Sequence, residues 1–93
     1  MKIDLYYLTT CPYCINARKA LTALTEENPA YAQIEINWIE ESTVKTFPAY
    51  ADYYYVPTVY CGEKKLYEAQ PGQDYDTIKA HLKQALDEVL AGA

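Results

Sequence analysis

Two cysteines separated by two residues mark the point where a strand pattern gives way to a helix pattern. Cys11 and Cys14 follow residues 2–8, a stretch that is apolar on both faces, as is typical of an interior strand. Beyond them, apolar residues recur at helical spacing. Pro12 suits the first turn of a helix, because its missing N–H would have no partner there. We therefore predict a strand over residues 2–8 and a helix over residues 12–26.

The spacing of the pair suits reversible disulfide formation or one half of a metal site. The position at a helix start favours disulfide chemistry, because the free N–H groups and partial positive charge of a helix N-terminus stabilise a thiolate. Arg18 and Lys19 lie too far along the helix to contribute strongly. Cys11 should be the more exposed cysteine, whereas Cys14 should face inward. We expect the Cys11 thiolate to attack a substrate disulfide and Cys14 to resolve the mixed disulfide.

A metal site is the alternative interpretation of the same cysteines. Its four ligands would have to be Cys11, Cys14, Cys61 and His81, an irregular set that lacks a second pair of closely spaced cysteines. We therefore expect no bound metal. Cys61 is interpreted as a small buried apolar side chain, and His81 as a solvated surface residue.

Length and charge restrict the class of protein. The chain has 93 residues, so we predict one domain over residues 1–93. Its formal net charge of −5 argues against nucleic-acid binding, because phosphate contacts need clustered Lys and Arg. No stretch is long and apolar enough to cross a bilayer, and the N-terminus lacks the pattern of a secretion signal. We expect a monomer in the reducing cytoplasm, with no nucleic-acid or membrane partner.

The remaining sequence predicts an α/β fold. Residues 32–38 alternate between apolar and polar and read as a strand with one covered face. Residues 57–61 and 65–68 form a predicted hairpin. A helix is expected near residues 48–53, and Asp74 can cap a last helix. The predicted order is β-α-β-α-β-β-α, a four-stranded mixed sheet flanked by helices on both faces, with the first two strands parallel.

The chain resembles the thioredoxin-fold superfamily in its compact, glutaredoxin-like form. Cys-Pro-Tyr-Cys over residues 11–14 is the glutaredoxin dithiol motif, and Val56-Pro57-Thr58 matches the second signature of the family, a proline in cis that faces the cysteine pair. The resemblance covers essentially the whole chain. It implies a thiol–disulfide oxidoreductase that reduces disulfide-containing proteins or glutathione mixed disulfides. It also implies that the backbone of Val56 pairs with substrate, that Pro57 shapes the substrate groove and that Thr58 contacts substrate.

Two departures from the family pattern leave the electron donor open. Glutaredoxins of this type usually carry Lys or Arg three positions before the first cysteine, where this chain has Leu8. They also carry two glycines and an acidic pair that hold glutathione, and here only Gly72 and Asp74 can stand in. Glutathione as co-substrate and a thioredoxin-like cycle recharged by a flavin-dependent reductase are both alternatives. An iron–sulfur or metal carrier that uses Cys11 with an external thiol is a third.

Tyrosine is heavily used, with eleven residues against one Phe and one Trp. Tyr53–Tyr55 leads directly into Val56 and borders the active-site groove in the predicted fold. The run can form a platform for a polypeptide substrate, or it can pack between the second helix and the sheet. Tyr13 lies inside the cysteine motif, and we expect it to be exposed and to contact substrate together with Pro12.

Overall fold

The sheet that carries the site has four strands and is built around β1 (Lys2–Tyr7). The computed structural model describes residues 1–92. β2 (Glu35–Glu40) runs parallel to β1 on one side, and β3 (Thr58–Cys61) runs antiparallel to it on the other. β4 (Lys64–Glu68) pairs antiparallel with β3 and completes the order β2-β1-β3-β4. The predicted mixed sheet with an interior first strand is confirmed.

Two helices of 16 residues each, α1 (Pro12–Glu27) and α2 (Tyr75–Leu90), cover one face of this sheet and pack against each other. Asp74 caps α2 as predicted, since its carboxylate accepts the Thr77 N–H at 2.9 Å. The buried cluster between the helices and the sheet is formed by Ile3, Leu5, Ala17, Ala20, Leu21, Leu24, Tyr31, Ile34, Val59, Tyr67, Ala69, Ile78, Leu82, Leu86 and Val89. This core fixes the start of α1 against the end of β1.

The other face of the sheet is covered by rings, which corrects the prediction of a helix near residues 48–53. In the described part of the chain, β2 is followed by one 3-10 turn (Glu41–Thr43) and then by non-helical chain up to β3. We call the rings that cover this face the aromatic layer: Tyr6, Phe47, Tyr50, Tyr53 and Tyr60. Helices on both faces were expected, and the aromatic layer takes the place of one of them.

Side chains of β3 and β4 bond the backbone of this segment at Asp52. The N–H of Asp52 donates to the Tyr60 hydroxyl at 3.0 Å, and the carbonyl of Asp52 accepts from the Lys65 Nζ at 2.8 Å. Threonine and valine before Pro48 have low helix propensity, so little local preference opposes this arrangement. Long-range contacts therefore decide the conformation here.

The second strand starts later than predicted. Pro29–Gln33 forms a 3-10 turn, and the strand begins at Glu35 rather than at residue 32. The predicted alternation is nevertheless present, because Ile34 and Ile36 are at least half-buried while Glu35 is exposed. The strand is thus covered on one face, as expected.

Neither helix within residues 1–92 combines the length and apolar character that a membrane span requires. The cytoplasmic location and the monomeric state stay predictions.

Candidate active site

Cys11 is the N-cap residue of α1 and follows closely on the end of β1. Its backbone is extended (φ −81°, ψ 122°), and its N–H donates to the Leu8 carbonyl at 3.3 Å. The half-buried side chain makes no capping hydrogen bond in the described structure. The first N–H groups of a helix have no intrahelical acceptor. They are therefore available to stabilise a negative charge on the Cys11 sulfur.

Cys14 occupies a different environment one turn later. It is only 5% exposed, and the Leu8 N–H donates to its Sγ at 3.4 Å. Burial raises the pKa of the Cys14 thiol, and the hydrogen bond from Leu8 offsets only part of that shift. Cys14 is thus a shielded, neutral thiol in the reduced protein. The expectation that Cys11 is the more exposed of the two is confirmed.

The Val56 carbonyl lies next to the Cys11 sulfur, although the two residues are 45 positions apart. The Cys11 thiol donates to this carbonyl with an Sγ–O distance of 3.6 Å. The Val56–Pro57 peptide bond is cis, as the resemblance implied. Pro57 and Thr58 are fully buried. The Thr58 hydroxyl donates to the Tyr55 carbonyl, so this side chain holds the loop, and its contact with substrate stays a prediction.

A carboxylate that the sequence analysis missed holds the same loop. Glu68 Oε2 accepts the N–H groups of Tyr54 and Tyr55 at 2.8 and 3.0 Å, and Oε1 pairs with Lys65 Nζ at 2.7 Å. We call this arrangement the Glu68 clip. Burial alone would raise the pKa of the Glu68 carboxyl, but the hydrogen bonds from Lys65 and the two amides outweigh it and lower the pKa.

The pairing register of β3 and β4 is the one feature from which the Glu68 clip could have been predicted. Glu68 pairs with Thr58 across the β3–β4 hairpin, so a correct register would have placed it beside the residues that precede Val56. The hydrogen bonds to the loop amides span 13 and 14 residues along the chain. No local pattern encodes such contacts.

Tyr13 joins the cysteine motif to the loop before α2. The Gly72 N–H donates to the Tyr13 hydroxyl at 2.8 Å. Tyr13 is half-buried and packs against the core, which corrects the expectation of an exposed ring. Gly72 has φ of 88°, a value that favours glycine. Pro12 and Asp74 are exposed. The structure thus brings Tyr13 and Gly72 together, and Asp74 lies two residues further along.

The four residues of the metal alternative do not assemble. Cys61 lies near the start of β1, with its Sγ 3.8 Å from the Lys2 carbonyl oxygen, whereas Cys11 and Cys14 follow the end of that strand. His81 stacks on the Tyr67 ring with centroids 5.3 Å apart. Residues 1–92 contain no group of three or more His, Cys, Asp or Glu side chains that could hold a metal ion.

The three rings of Tyr53–Tyr55 differ in their surroundings, because the first is packed and the other two are exposed. Tyr53 belongs to the aromatic layer, and its hydroxyl donates to Glu41 Oε1 at 2.8 Å. Tyr54 is 88% exposed and Tyr55 is 45% exposed, directly before Val56. Packing therefore accounts for the first ring, although against a loop rather than the expected helix. The other two rings stand exposed on the loop just before Val56, whose carbonyl lies next to the Cys11 sulfur.

Comparison with known proteins agrees with this geometry. The glutaredoxin family model matches residues 3–66, which is more than half of the chain and includes both cysteines of the pair and Val56–Pro57. Comparisons with curated proteins and with solved structures find no match. At the level of the family, the match supports a thiol–disulfide oxidoreductase. With its fold, its cysteine pair and its cis-proline loop, this chain belongs to the glutaredoxin family.

Proposed function

We propose that this protein reduces disulfides by a dithiol mechanism, with Cys11 as the nucleophile and Cys14 as the resolving thiol. The observation that supports these roles best is the asymmetry of the pair. Cys11 is half-buried at the helix N-cap, beside the Val56 carbonyl, whereas Cys14 is buried and accepts the Leu8 N–H. A nucleophile needs access and stabilisation of its thiolate, while a resolving thiol has to be shielded until the first step is complete.

In the first step, the Cys11 thiolate attacks one sulfur of the substrate disulfide. A bond forms between Cys11 and that sulfur, the substrate S–S bond breaks, and the other substrate sulfur leaves as a thiolate that takes a proton from water. The N–H groups at the start of α1 stabilise the attacking thiolate. The Val56 carbonyl no longer accepts the thiol hydrogen once Cys11 is ionised. The backbone of Val56 can then pair with an extended substrate.

In the second step, Cys14 loses its proton to the solvent and its sulfur attacks Cys11. The Cys11–Cys14 bond forms, the mixed disulfide breaks, and the second substrate sulfur leaves as a thiolate. Two electrons have then passed from the protein to the substrate. Because burial favours the neutral Cys14 thiol, this step depends on the approach of the mixed disulfide rather than on a standing thiolate.

Two electron donors can reduce the Cys11–Cys14 disulfide again. Two glutathione molecules would do so with formation of glutathione disulfide, and a flavin-dependent reductase would do so through its own dithiol. The start of α2 offers the exposed Asp74 carboxylate to the ammonium group of glutathione, but the Gly72 N–H is already bonded to Tyr13. Leu8 supplies no cation for an anionic tripeptide. We propose both donors as candidates, and one assay separates them.

The assay follows NADPH oxidation during reduction of hydroxyethyl disulfide, with glutathione and glutathione reductase in one arm and thioredoxin reductase in the other. We expect turnover in at least one arm, and its loss in both arms for Cys11→Ser. Cys14→Ser should retain turnover only where glutathione resolves the mixed disulfide. Cys61→Ser is the matched control and should behave as wild type. Residual turnover in Cys11→Ser equal to wild type would contradict the assigned roles.

A further inference from the structure

A second groove opens beside the cysteine pair, between the end of β1 and the first half of α1. Its volume is about 410 Å³, and its lining includes Leu8, Thr9, Cys14, Ile15, Arg18 and Lys19. None of its lining residues belongs to the Val56–Pro57 loop, so it lies on the other side of the cysteine pair from the backbone proposed to bind substrate. Of the side chains that line it, the dithiol mechanism uses only Cys14.

The end of the groove near the cysteine motif is apolar. Ile15 is 47% exposed, one of few large apolar side chains with that exposure among residues 1–92, and Leu8 lies half-buried beside the pair. An exposed apolar side chain at the edge of an active site gains free energy when a partner covers it. This end of the groove suits an apolar side chain of a bound molecule.

The far end of the groove is cationic. Arg18 and Lys19 form no ion pair with any residue the structure describes, whereas the ion pairs found there use Lys64, Lys65, Lys79 and Lys83. Cation–π contact holds the Arg18 guanidinium in place, 4.0 Å above the Trp38 ring centroid and 5.5 Å from that of Tyr7. The surface of an acidic chain thus presents two uncompensated positive charges at this point.

Two carboxylates lie in the neighbourhood, and neither forms an ion pair with Arg18 or Lys19 in the described chain. Glu41 is close enough to influence Cys14, but its Oε1 accepts the Tyr53 hydroxyl. Glu26 lines the neighbouring groove, which shares Arg18, without forming an ion pair with it in the described chain. The groove therefore attracts an anionic group from outside the protein.

The separation between the cysteine motif and the two cations sets the size of the partner. Arg18 and Lys19 follow Cys11 by seven and eight residues, which is roughly 10–12 Å along a helix. An extended polypeptide covers that distance with about three residues. A partner attached to Cys11 through its own sulfur would thus place its third or fourth residue against the cations.

We propose that this groove binds the polypeptide next to the disulfide of a protein substrate. An apolar side chain of the substrate packs on Leu8 and Ile15, and an Asp or Glu about three residues from the substrate cysteine pairs with Arg18 and Lys19. The proposal rests on the proposed function and adds its substrate class, disulfides flanked by acidic polypeptide.

The test measures single-turnover reduction, so that no recharging system is needed. Reduced protein in excess is mixed with a blocked peptide whose one cysteine forms a mixed disulfide with 2-mercaptoethanol, and after acid quench the free peptide thiol is separated by chromatography and quantified. One peptide has Glu three positions from the cysteine on both sides, and its counterpart has Lys there. Hydroxyethyl disulfide, which is too small to reach the cations, gives the reference rate for each protein.

We expect the Glu peptide to react about five-fold faster than the Lys peptide at low ionic strength, and the ratio to shrink in high salt. Arg18→Glu and Lys19→Glu should each lower the ratio, and together they should invert it. Lys2→Glu makes the same charge change at the opposite end of β1 and should leave the ratio unchanged.

Equal rates for the two peptides, with normal reduction of hydroxyethyl disulfide, would overturn the groove proposal and leave the proposed function standing. A ratio that survives both charge reversals would also overturn it, because the preference would then arise elsewhere. If the wild-type protein reduced neither peptide nor hydroxyethyl disulfide, the proposed function would fail and the groove proposal with it.

Discussion

At the scale of single residues, position in the fold gives two identical side chains different exposure and different hydrogen-bond partners. Cys11 and Cys14 share a motif, yet Cys11 stands at the N-cap position of α1, whereas Cys14 is buried and accepts the Leu8 N–H. Tyr13 stands between them in sequence and reaches out of the motif to bond Gly72, 59 residues away. The Tyr13 hydroxyl therefore connects the motif to Gly72. That bond holds the loop before α2 beside the cysteines.

The change Tyr13→Phe should release that loop. It removes the acceptor of the Gly72 N–H and keeps the packed ring, so we expect the free energy of unfolding to fall by at most about 1 kcal/mol. The larger effect should be local, with the Gly72 amide exchanging several-fold faster with solvent. Hydrogen exchange followed by NMR measures both quantities. The most protected amides report the free energy of unfolding, and the Gly72 amide reports the opening of the loop.

Tyr54→Phe is the matched control for this change, because that ring is 88% exposed. Its substitution should leave the exchange of Gly72 unaltered. An unchanged Gly72 amide in Tyr13→Phe would mean that the bond contributes nothing to the order of the loop.

At the scale of elements, the segment between β2 and β3 shows how a site loop is held without a helix. Its rings join the aromatic layer, and its amides are bonded by the Glu68 clip from β4. The clip ends one residue before Val56, whose carbonyl meets the Cys11 sulfur. The hairpin formed by β3 and β4 therefore positions one wall of the active site.

Glu68→Gln should destabilise the protein at neutral pH by about 1–2 kcal/mol, since it replaces charge-assisted hydrogen bonds at a side chain that is 13% exposed. The difference should depend on pH. The fold lowers the pKa of Glu68 below its ordinary value of 4.5, so its carboxylate stabilises the fold above that pH. The difference in unfolding free energy between wild type and Glu68→Gln should shrink as the pH falls below 4.5 and the Glu68 carboxylate is protonated. Urea unfolding at a series of pH values measures this difference.

Glu63→Gln serves as the control, because it removes the same charge from the turn of the same hairpin. Its effect should stay within about 0.5 kcal/mol at every pH. A wild-type advantage over Glu68→Gln that is constant from neutral pH down to pH 3 would argue against a charged clip.

At the scale of the whole molecule, the site is assembled from segments that local sequence cannot connect. The strand and helix around the cysteines, the hairpin and the capped last helix follow from periodicity, Pro12 and Asp74, and the structure contains all of them. The helix expected near residues 48–53 was wrong because contacts with Tyr60 and Lys65 outweigh weak local propensity. The cis bond was implied by family resemblance alone.

The features of the candidate site also fall into those that the sequence predicts and those that it does not. The cysteine pair and its difference in exposure were evident from position in the motif. The Glu68 clip, the bond between Tyr13 and Gly72, and the burial of Thr58 depend on register and packing across the fold. These features lie beyond what spacing can predict, because each joins residues that only the folded sheet brings together.

Trapping of the mixed disulfide tests the central claim, that one sulfur attacks and the other resolves. Cys14→Ser protein is incubated with an excess of a peptide disulfide, quenched in acid and mapped by mass spectrometry. We predict one stable adduct on Cys11, whereas wild type releases both thiols and ends with a Cys11–Cys14 bond. An adduct on Cys61 instead, or an equally rapid adduct on Cys14 in Cys11→Ser protein, would contradict the account.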